Sequence, residues 1–293
     1  MKAFAQSIRR VGLVANPEKP PTALLVRRAA AALRRLDRTV ATEPDTAAFC
    51  PGLPTEPDLP TLARSVDLLL VFGGDGTMLR VARQVAGIAT PILGVNVGNL
   101  GFLTSVTPAR LNEALKKIDA GKFTLESRAL LEAEVRHGKT SSTQIALNDF
   151  VISRGAASRL IELEVRVNGE PLTRYRCDGL IASSPTGSTA YSLAAGGSIV
   201  SPDAEVLTLT PICPHTLSIR PVVVSLDSTV LVRLLSSPLI ANLASDGQQQ
   251  TELSRGDSVV IRRAPTSVRL LRPEGASFFS TLRQKFGWSG GRV

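Results

Sequence analysis

The sequence is poor in cysteine and histidine, the side chains that most often form disulfide frameworks and transition-metal sites. Its three cysteines, Cys50, Cys177 and Cys213, are odd in number and show no Cys-x-x-Cys spacing, so the sequence supports neither a disulfide framework nor a zinc site. Only two histidines, His137 and His215, occur in 293 residues, which excludes a histidine-rich metal centre. Any metal is therefore expected to bind through oxygen atoms, as Mg²⁺ does.

Long apolar runs are missing as well. No stretch approaches the roughly 20 apolar residues that are needed to span a bilayer. The basic segment Met1–Arg10 is followed by Val11–Ala15, which is too short for the apolar core of a signal peptide. With 43% hydrophobic residues, the chain is expected to be a soluble, cytoplasmic globular protein, long enough for two domains.

Aromatic residues make up only 4% of the chain, although a net charge of +9 and a pI near 10.1 suit a polyanionic partner. No basic cluster alternates with aromatic residues, as a base-stacking platform for nucleic acid requires. The arginine pairs Arg27–Arg28 and Arg34–Arg35 are interpreted as the solvated face of a helix. Small phosphorylated ligands explain the charge as well as RNA does, and we expect no nucleic-acid or membrane partner.

Charged residues are unusually rare between residues 178 and 250. This stretch contains five acidic and two basic residues, a net charge of −3, so the rest of the chain carries +12. Such a stretch is expected to be deep core or to be buried against another subunit. We therefore predict a homo-oligomer, either a dimer or a tetramer.

A carboxylate within a glycine-rich turn is the most informative motif. Residues 71–79 read VFGGDGTML, and the glycine turn that begins at Gly73 directly follows the apolar run Asp67–Phe72, which is typical of a buried parallel strand. The next segment, Thr77–Ala86, has helical spacing. We predict a phosphate-binding loop here, because its glycines permit positive φ and close approach of the backbone, and a helix N-terminus attracts anions. Its residues are Gly73, Gly74, Gly76 and Thr77.

Asp75 conflicts with this loop, because a carboxylate repels phosphate. The conflict disappears if Asp75 binds Mg²⁺ or accepts a proton from an attacking hydroxyl group. The alternative is an ordinary strand-to-helix turn in which Asp75 only caps the helix.

The first part of the chain alternates between strands and helices, which favours a parallel sheet covered by helices. The expected strands are 11–15, 39–42, 67–72 and 91–95, and the expected helices are 22–38, 77–86 and 111–118, with a proline-rich loop at 50–60. After residue 123, short β-type runs follow at 130–136, 143–153, 160–167, 172–176, 206–210, 222–224, 229–235, 259–263 and 267–271. Asn168-Gly169 predicts a tight hairpin between two of them.

This pattern predicts a Rossmann-like α/β domain at residues 1–125 and a mostly β, sandwich-like domain at 126–271. The amphipathic segment Ser277–Phe286 is expected to be a helix, and residues 272–293 are expected to pack on the first domain.

A second group of polar residues lies in the β-rich part. The small-residue loop Ser183–Thr189 precedes a helical piece that begins at Ala190, so its hydroxyl and N–H groups suit a base edge or a phosphate, although a structural turn explains it equally well. Tyr191 offers a face for adenine to stack on. Asn148-Asp149 and Asp246-Gly247-Gln248 interrupt apolar strands, where ribose hydroxyl groups would satisfy them; a strand-end cap is the alternative for the first pair.

With these motifs, the chain resembles the bacterial NAD kinases over nearly its whole length. The resemblance rests on motifs along the whole sequence, namely residues 73–77 (GGDGT), 99–104 (NLGFLT), 147–149 (LND), 178–181 (DGLI), 185–192 (PTGSTAYS), 195–197 (AGG), 210–215 (TPICPH) and 245–248 (SDGQ). The first motif also occurs in phosphofructokinases, diacylglycerol kinases and sphingosine kinases. The motif at 185–192 is much more specific.

The resemblance implies transfer of the ATP γ-phosphoryl group to the 2′-hydroxyl of the adenosine ribose of NAD, with Mg²⁺ or another divalent cation. Asp75 then matches the catalytic proton acceptor. The positions that match contacts to the NAD or ATP ligands are Asp75, Gly76, Arg80, Asn148, Asp149, Arg159, Arg176, Asp178, Thr189, Ala190, Tyr191, Ser192, Leu193, Ala194 and Gln248. No side chain is assigned as a dedicated metal ligand. The family often has Glu where Asp149 stands, so the reach of this side chain is one methylene shorter here.

Two rival functions remain at this point. A lipid kinase of the diacylglycerol type would share residues 73–77 but not the motif at 185–192, and a basic nucleotide- or RNA-binding module would bind without turnover, with strong salt dependence. Asp75, Asp149, Asp178 and Asp246 argue against the second, because phosphate backbones avoid carboxylates. Polyphosphate as donor, NADH as acceptor and feedback by NADP(H) stay open.

Overall fold

The computed structural model describes residues 2–17, 22–98, 100–155, 159–236 and 241–288. Asn99, the first residue of the motif at 99–104, lies outside the described residues. The chain divides into two compact units. The first comprises residues 1–127 and 268–293, and the second comprises residues 128–267.

The first unit is an α/β layer, as the alternating pattern predicted. Its elements up to residue 119 are α1 (Lys2–Ser7), β1 (Arg10–Ala15), α2 (Thr22–Arg34), β2 (Thr39–Thr42), α3 (Pro44–Ala47), α4 (Leu59–Ser65), β3 (Leu68–Gly73), α5 (Asp75–Gln84), β4 (Ile92–Asn96) and α6 (Leu111–Asp119). The strands pair in parallel in the order β2-β1-β3-β4. β3 and β4 are buried at every residue, because helices cover such a sheet on both faces.

The second unit is mostly β. Its elements are β5 (Phe123–His137), β6 (Thr140–Ala146), β7 (Asp149–Ser153), β8 (Ile161–Val167), β9 (Glu170–Cys177), β10 (Gly179–Ser183), α7 (Tyr191–Ala194), β11 (Val206–Ile212), β12 (Val222–Ser225), β13 (Val230–Leu234), β14 (Ala241–Ser245), β15 (Gln249–Leu253) and the beginning of β16 (Ser258–Pro273). β5 enters this unit from the first one, and β16 leaves it again. Asn168 and Gly169 both have positive φ, as the predicted tight hairpin between β8 and β9 requires.

Two sheets build this second unit and confirm the sandwich-like prediction. One is antiparallel, with the order β12-β11-β10-β7-β14-β15, and the other contains β16, β13, β8 and β9. Buried side chains from both sheets form one core, in which Phe150 and Leu180 come from the first sheet and Leu163 and Val232 from the second. Apolar burial between two sheets is the main stabilising contribution in such an arrangement.

The predicted boundaries of strands and loops are wrong in three places. The run expected at 143–153 is two strands, because the chain breaks at Leu147-Asn148 between β6 and β7. The runs expected at 259–263 and 267–271 are one strand, β16, which Pro265 between them does not interrupt. Pro60, expected in a loop, lies in the first turn of α4 behind the cap Asp58.

The last described element is α8 (Phe278–Phe286), close to the predicted helix at 277–286. Ser277 caps its N-terminus through a reciprocal hydrogen bond with Ser280, and Gly287 ends it in the left-handed conformation. Across the described ranges, every helix is too short or too polar to cross a membrane.

Candidate active site

Asp75 is the first residue of α5, at the carboxyl end of strand β3. The structure corrects the expected start of this helix and argues against the alternative in which Asp75 is its cap. The helix begins at residue 75 rather than 77, and Gly74, not Asp75, is its N-cap. None of the three glycines in this turn has a positive φ. Gly73 ends strand β3, Gly74 has an extended backbone, and Gly76 lies in the first turn of α5. The turn is therefore tight without a left-handed residue.

Two backbone amides hold the Asp75 carboxylate. Phe102 N–H donates to Oδ2 at 2.8 Å and Leu103 N–H donates to Oδ1 at 3.0 Å. A Cβ at residue 101 would overlap Oδ1 of Asp75, so only glycine fits at that position. Such charge-assisted bonds fix both the position and the rotation of the carboxylate.

The other residues of the predicted phosphate loop differ in how far they are exposed. Thr77 is buried, and its hydroxyl occupies the space that a Cβ at Gly73 would need, so Gly73 is required for close strand-to-helix packing. Gly76 is exposed in the first helical turn. Arg80 lies one turn further and is half-buried; within the described part of the chain it makes no hydrogen bond or ion pair. The guanidinium group of Arg80 is therefore available to a ligand at this end of the helix.

In the second unit, the Asp246 carboxylate holds the backbone of the Asn148-Asp149 pair. It accepts from the N–H groups of Leu147 at 3.1 Å, Asn148 at 2.8 Å and Asp149 at 3.3 Å. Asp246 has a positive φ, at the turn between β14 and β15. The break between β6 and β7 therefore already donates three hydrogen bonds to Asp246, and a contact of this carboxylate with ribose hydroxyl groups stays a prediction. Gln248 is exposed on the same turn.

Asp149 is 4% exposed and lies beside this buried carboxylate. Among the described residues, no donor forms a hydrogen bond with its side chain. Burial, followed by repulsion from Asp246, raises the pKa of Asp149 to about 7. At neutral pH a substantial fraction of the Asp149 side chains is therefore protonated, and these can donate a hydrogen bond as well as accept one.

Most hydroxyl groups of the loop after β10 are used inside the protein. Ser184 Oγ donates to Leu147 O at 2.6 Å, Ser188 Oγ donates to Pro185 O at 2.7 Å, and Ser192 Oγ shares a hydrogen bond with Thr210 Oγ1 at 2.9 Å. These serines are buried, which fits the alternative of a structural turn for the 183–189 loop, and the assignment of Ser192 to NAD stays a prediction.

The surface that remains available beside this loop belongs to its last residues. Tyr191 is 47% exposed and Ala194 is exposed, whereas Thr189, Ala190 and Leu193 are half-buried. The loop itself packs on the Asn148-Asp149 backbone, because Ser184 N–H donates to Asn148 O at 2.8 Å. The structure therefore brings together the predicted residues 148–149, 189–194 and 248 through their neighbours in the second unit.

A second group of predicted residues lies at the opposite end of the β7–β10 pair. In that pair Asp149 faces Ser183 and Ser153 faces Gly179, so Asp178 is five residues, roughly 16 Å, from Ser183 at the Asp149 end. The Asp178 carboxylate accepts from Arg154 Nε at 2.6 Å. Arg176 is exposed nearby, and its carbonyl accepts from His215 N–H at 2.8 Å. Arg159 is exposed too.

Sequence reasoning missed three contributors to these groups. Arg154 pairs with Asp178 across 24 residues of sequence, and the amides of Phe102 and Leu103 reach Asp75 over 27 and 28 residues. Arg154 has a local signal, because it directly follows the buried strand β7. The two amides have no such signal in the sequence, because every residue except proline has a backbone N–H group.

Cysteine and acidic residues form no metal site in the part of the chain that is described. No group of three or more His, Cys, Asp or Glu side chains is arranged to hold an ion there. All three cysteines are free, and burial raises the pKa of Cys177 to about 12, so its thiol is an inert packing group. Isolated carboxylate oxygens such as those of Asp75 fit a cation that arrives already bound to phosphate oxygens.

Comparison with known proteins gives the same family for both units. The model of the ATP-NAD kinase N-terminal domain matches residues 11–123, and that of the ATP-NAD kinase C-terminal domain matches residues 147–273. An NAD kinase of Syntrophotalea carbinolica is 41% identical over 96% of this chain and 99% of its own length. An NAD kinase of Desulforamulus reducens is 42% identical over 96% of this chain and 98% of its own length.

Solved structures agree with the sequence comparison. Yeast NADH kinase in complex with NADH has a TM-score of 0.87 at 27% identity and covers 98% of this chain and 89% of its own. An NAD kinase from Archaeoglobus fulgidus in complex with ATP has a TM-score of 0.73 at 26% identity and covers 95% of this chain and 97% of its own. The chain therefore belongs to the NAD kinase family, as its motifs at residues 73–77 and 185–192 predicted.

Proposed function

We propose that this protein transfers the γ-phosphoryl group of ATP to the 2′-hydroxyl of the adenosine ribose of NAD, which gives NADP and ADP. The observation that carries the proposal is the Asp75 carboxylate, fixed by two amides at the carboxyl end of β3. Ligands of parallel α/β sheets bind at that edge. Family membership over both units and the ATP and NADH complexes of related structures support the choice of substrates.

Asp75 has the role of proton acceptor in this proposal. The ribose 2′-oxygen attacks the γ-phosphorus, the bond from the γ-phosphorus to the β–γ bridging oxygen breaks, and the proton of the 2′-hydroxyl passes to Asp75. Because phosphoryl transfer depends on alignment and charge neutralisation, a fixed base is more useful than a mobile one. A base in this position contributes roughly 10²- to 10⁴-fold. Gly76 and Arg80 are assigned to the phosphates.

The residues of the second unit are assigned to NAD. We assign Asn148 and Asp149 to the adenosine end and Tyr191 to stacking on the adenine, since its ring is exposed and the neighbouring loop is anchored. The remaining assignments are Arg159, Arg176, Asp178, Thr189, Ala190, Ser192, Leu193, Ala194 and Gln248. The buried hydroxyl of Ser192 is engaged by Thr210, so its contribution to NAD is through the backbone.

A divalent cation, Mg²⁺ in the simplest case, is assigned to the ATP phosphates. Bound there, it neutralises charge that develops on the transferred group. The chain contributes at most the Asp75 oxygens, because no acidic cluster is present among the described residues. We further propose a homodimer or homotetramer and a cytoplasmic location.

The direct test is incubation of the purified protein with NAD, ATP and Mg²⁺, followed by an NADP-specific dehydrogenase assay. We expect NADP to form only when all three are present. A diacylglycerol acceptor in place of NAD distinguishes the lipid-kinase rival, and RNA binding without turnover would favour the binding-module rival. Replacing ATP by polyphosphate, and NAD by NADH, identifies the donor and acceptor range in the same assay.

A further inference from the structure

We infer that Arg272 is a positioning residue for the base Asp75, and that it acts through the peptide group between Phe102 and Leu103. The inference rests on the proposed function, because it concerns the group that accepts the substrate proton. Arg272 belongs to β16, whereas Asp75 begins α5, and no motif in the sequence connects the two.

Arg272 is almost completely buried, with 2% of the residue exposed. Its Nε donates to Glu126 Oε2 at 2.8 Å, and its Nη2 donates to the carbonyl oxygen of Phe102 at 2.9 Å. The guanidinium group is therefore held on one side by a carboxylate and presents its other side to the backbone of the 101–103 segment. Glu126 is about one-third exposed, so its charge is only partly screened by solvent.

One planar peptide group connects Arg272 with Asp75. The carbonyl of Phe102 and the N–H of Leu103 belong to the same rigid unit, so the position of one determines the position of the other. The carbonyl end accepts from Arg272, and the N–H end donates to Asp75 Oδ1 at 3.0 Å. A cation at the carbonyl also polarises the amide and strengthens the hydrogen bond at its other end. A continuous chain of hydrogen bonds thus runs from Glu126 through Arg272 and the 102–103 peptide group to Asp75.

A purely structural arginine is a poor explanation of this burial. Burying a guanidinium costs several kcal/mol unless all its donors are paired, and apolar replacements of buried ion pairs are often neutral or stabilising. Within the described part of the chain, Nη1 of Arg272 is buried and has no hydrogen-bond partner. The neighbours Val268, Leu270 and Leu271 on the same strand are buried and apolar. An apolar residue at 272 would suit the core, and the arginine is explained by what it does to the 102–103 peptide group.

The test compares Arg272→Met, Arg272→Lys and Glu126→Gln with wild type for kcat, for KM of NAD and ATP, and for thermal midpoint. We expect Arg272→Met to lower kcat about 10- to 100-fold, because a misplaced catalytic group loses such factors, with both KM values within about 3-fold. Arg272→Lys is expected to recover part of the loss, since it keeps the charge but cannot bridge Glu126 and the carbonyl. Glu126→Gln is expected to lower kcat about 3- to 10-fold.

Arg38→Met is the matched control. Arg38 is another largely buried arginine of the first unit and pairs with Asp119 at 2.6 Å. Its loss should lower the thermal midpoint and leave kcat unchanged. If Arg272→Met does not fold, Glu126→Gln decides instead, because this residue is partly exposed and keeps its shape as glutamine.

A double-variant cycle separates positioning from structure. Combined with Asp75→Asn, the Arg272→Met change should have little further effect on the residual turnover, because its route of action is already gone. A folded Arg272→Met or Glu126→Gln with wild-type kcat would overturn the inference, as would an equal loss in the Asp75→Asn background. Either result leaves the proposed function intact. Absence of NADP formation by the wild type would instead reject the proposed function.

Discussion

Asp75 and Asp149 are carboxylates in opposite surroundings. Asp75 accepts a hydrogen bond from each of two backbone amides, which fix its position. Asp149 is buried beside Asp246, and among the described residues it has no hydrogen-bond donor, so its charged form is disfavoured. Carboxyl groups in different surroundings suit different roles, and we propose Asp75 as the base and Asp149 as a partner for hydroxyl groups or a base edge.

Asp149 should make stability fall as the pH rises. Its pKa is about 7 in the folded state against 3.8 in the unfolded chain, so the folded state binds more protons between these values and loses stability across pH 4 to 7. Asp149→Asn keeps the neutral shape and should remove this loss, which amounts to at most about 4 kcal/mol. We expect the variant to match wild type near pH 4 and to be more stable at pH 8, as measured by urea unfolding.

Asp203→Asn is the control for this measurement. The Ser201 hydroxyl lowers the pKa of the exposed Asp203, so this group is charged in both states above pH 5. Its replacement should leave the stability difference between pH 5 and pH 8 unchanged. Equal pH dependence in wild type and Asp149→Asn would contradict the assignment of a raised pKa to Asp149.

Residue types revealed the carboxylates but not what holds them. The motif at 73–77 identified Asp75, and the polar interruption of an apolar run identified Asn148-Asp149. The groups that fix them are the Phe102 and Leu103 amides and the Asp246 carboxylate, which lie 27 to 99 residues away in sequence. Such contacts depend on the fold, and local sequence contains no record of them.

Helix α8 packs on the segment that holds Asp75. The ring of Phe102 lies 5.9 Å from that of Phe278 and 6.4 Å from that of Phe286, and Lys285 Nζ lies 4.7 Å from the Phe102 ring centroid. Aromatic pairs of this kind contribute about 0.5–1.5 kcal/mol each beyond their buried area, and a cation over the ring adds to this. Helix α8 therefore restrains the 101–103 segment through contacts with the Phe102 side chain, while Arg272 restrains the same segment through a hydrogen bond to the Phe102 carbonyl.

Phe278→Ala should lower both stability and turnover. We expect a loss of about 1–3 kcal/mol in the free energy of unfolding, from lost burial and the lost ring contact. Turnover should fall about 2- to 10-fold, because a looser Phe102 holds Asp75 less well. Both are measured on the same preparation, by urea unfolding and by NADP formation.

Phe279→Ala is the matched control on the same helix. Phe279 is mostly exposed and contacts Phe278 but not the Phe102 ring. Its loss should leave turnover within about 2-fold of wild type, since surface substitutions have small effects. Identical losses of turnover in both variants would contradict the proposed restraint.

Elements were predictable where the sequence pattern is local. The buried strand β3 and the amphipathic helix α5 were found, but the helix start was placed two residues late, because an aspartate after glycine was read as a turn residue rather than as the first helical one. β16 was divided in two because Pro265 lies at its centre, where only pairing with other strands keeps it extended. Tertiary pairing overrode the local signal there.

The net positive charge of the chain lies outside residues 178–250. Within that stretch, the six-stranded sheet has an apolar edge strand. β12 is an edge strand of that sheet, and Val223 on it is 52% exposed. An open edge strand with exposed apolar residues invites pairing with another chain. These features support the proposed homo-oligomer.

Val223→Glu should therefore shift the protein to a smaller species. We expect sedimentation velocity to show a dimer or tetramer for wild type and a lower molecular mass for the variant. Leu172→Glu is the control, since Leu172 is an exposed apolar residue on β9, at the edge of the other sheet of the second unit. An unchanged sedimentation coefficient in Val223→Glu, or a monomeric wild type, would contradict this interface.

The fold class was predictable at the scale of the whole chain because it depends on pattern. Alternating strands and helices in the first part, and short β-type runs joined by turns such as Asn168-Gly169, specify an α/β and a mostly β unit. Sheet order was not predictable, because β7, for example, pairs with β10 and β14, which are distant in sequence. Side-chain periodicity determines which face of a strand is buried, but not which strand lies beside it.

The most direct test of the account is the turnover of Asp75→Asn with saturating NAD, ATP and Mg²⁺, measured together with NAD binding by calorimetry. The account predicts that the variant folds, binds NAD with a Kd within about 3-fold of wild type, and loses roughly 10²- to 10⁴-fold in kcat. Turnover equal to that of wild type would contradict the role of Asp75 as the proton acceptor.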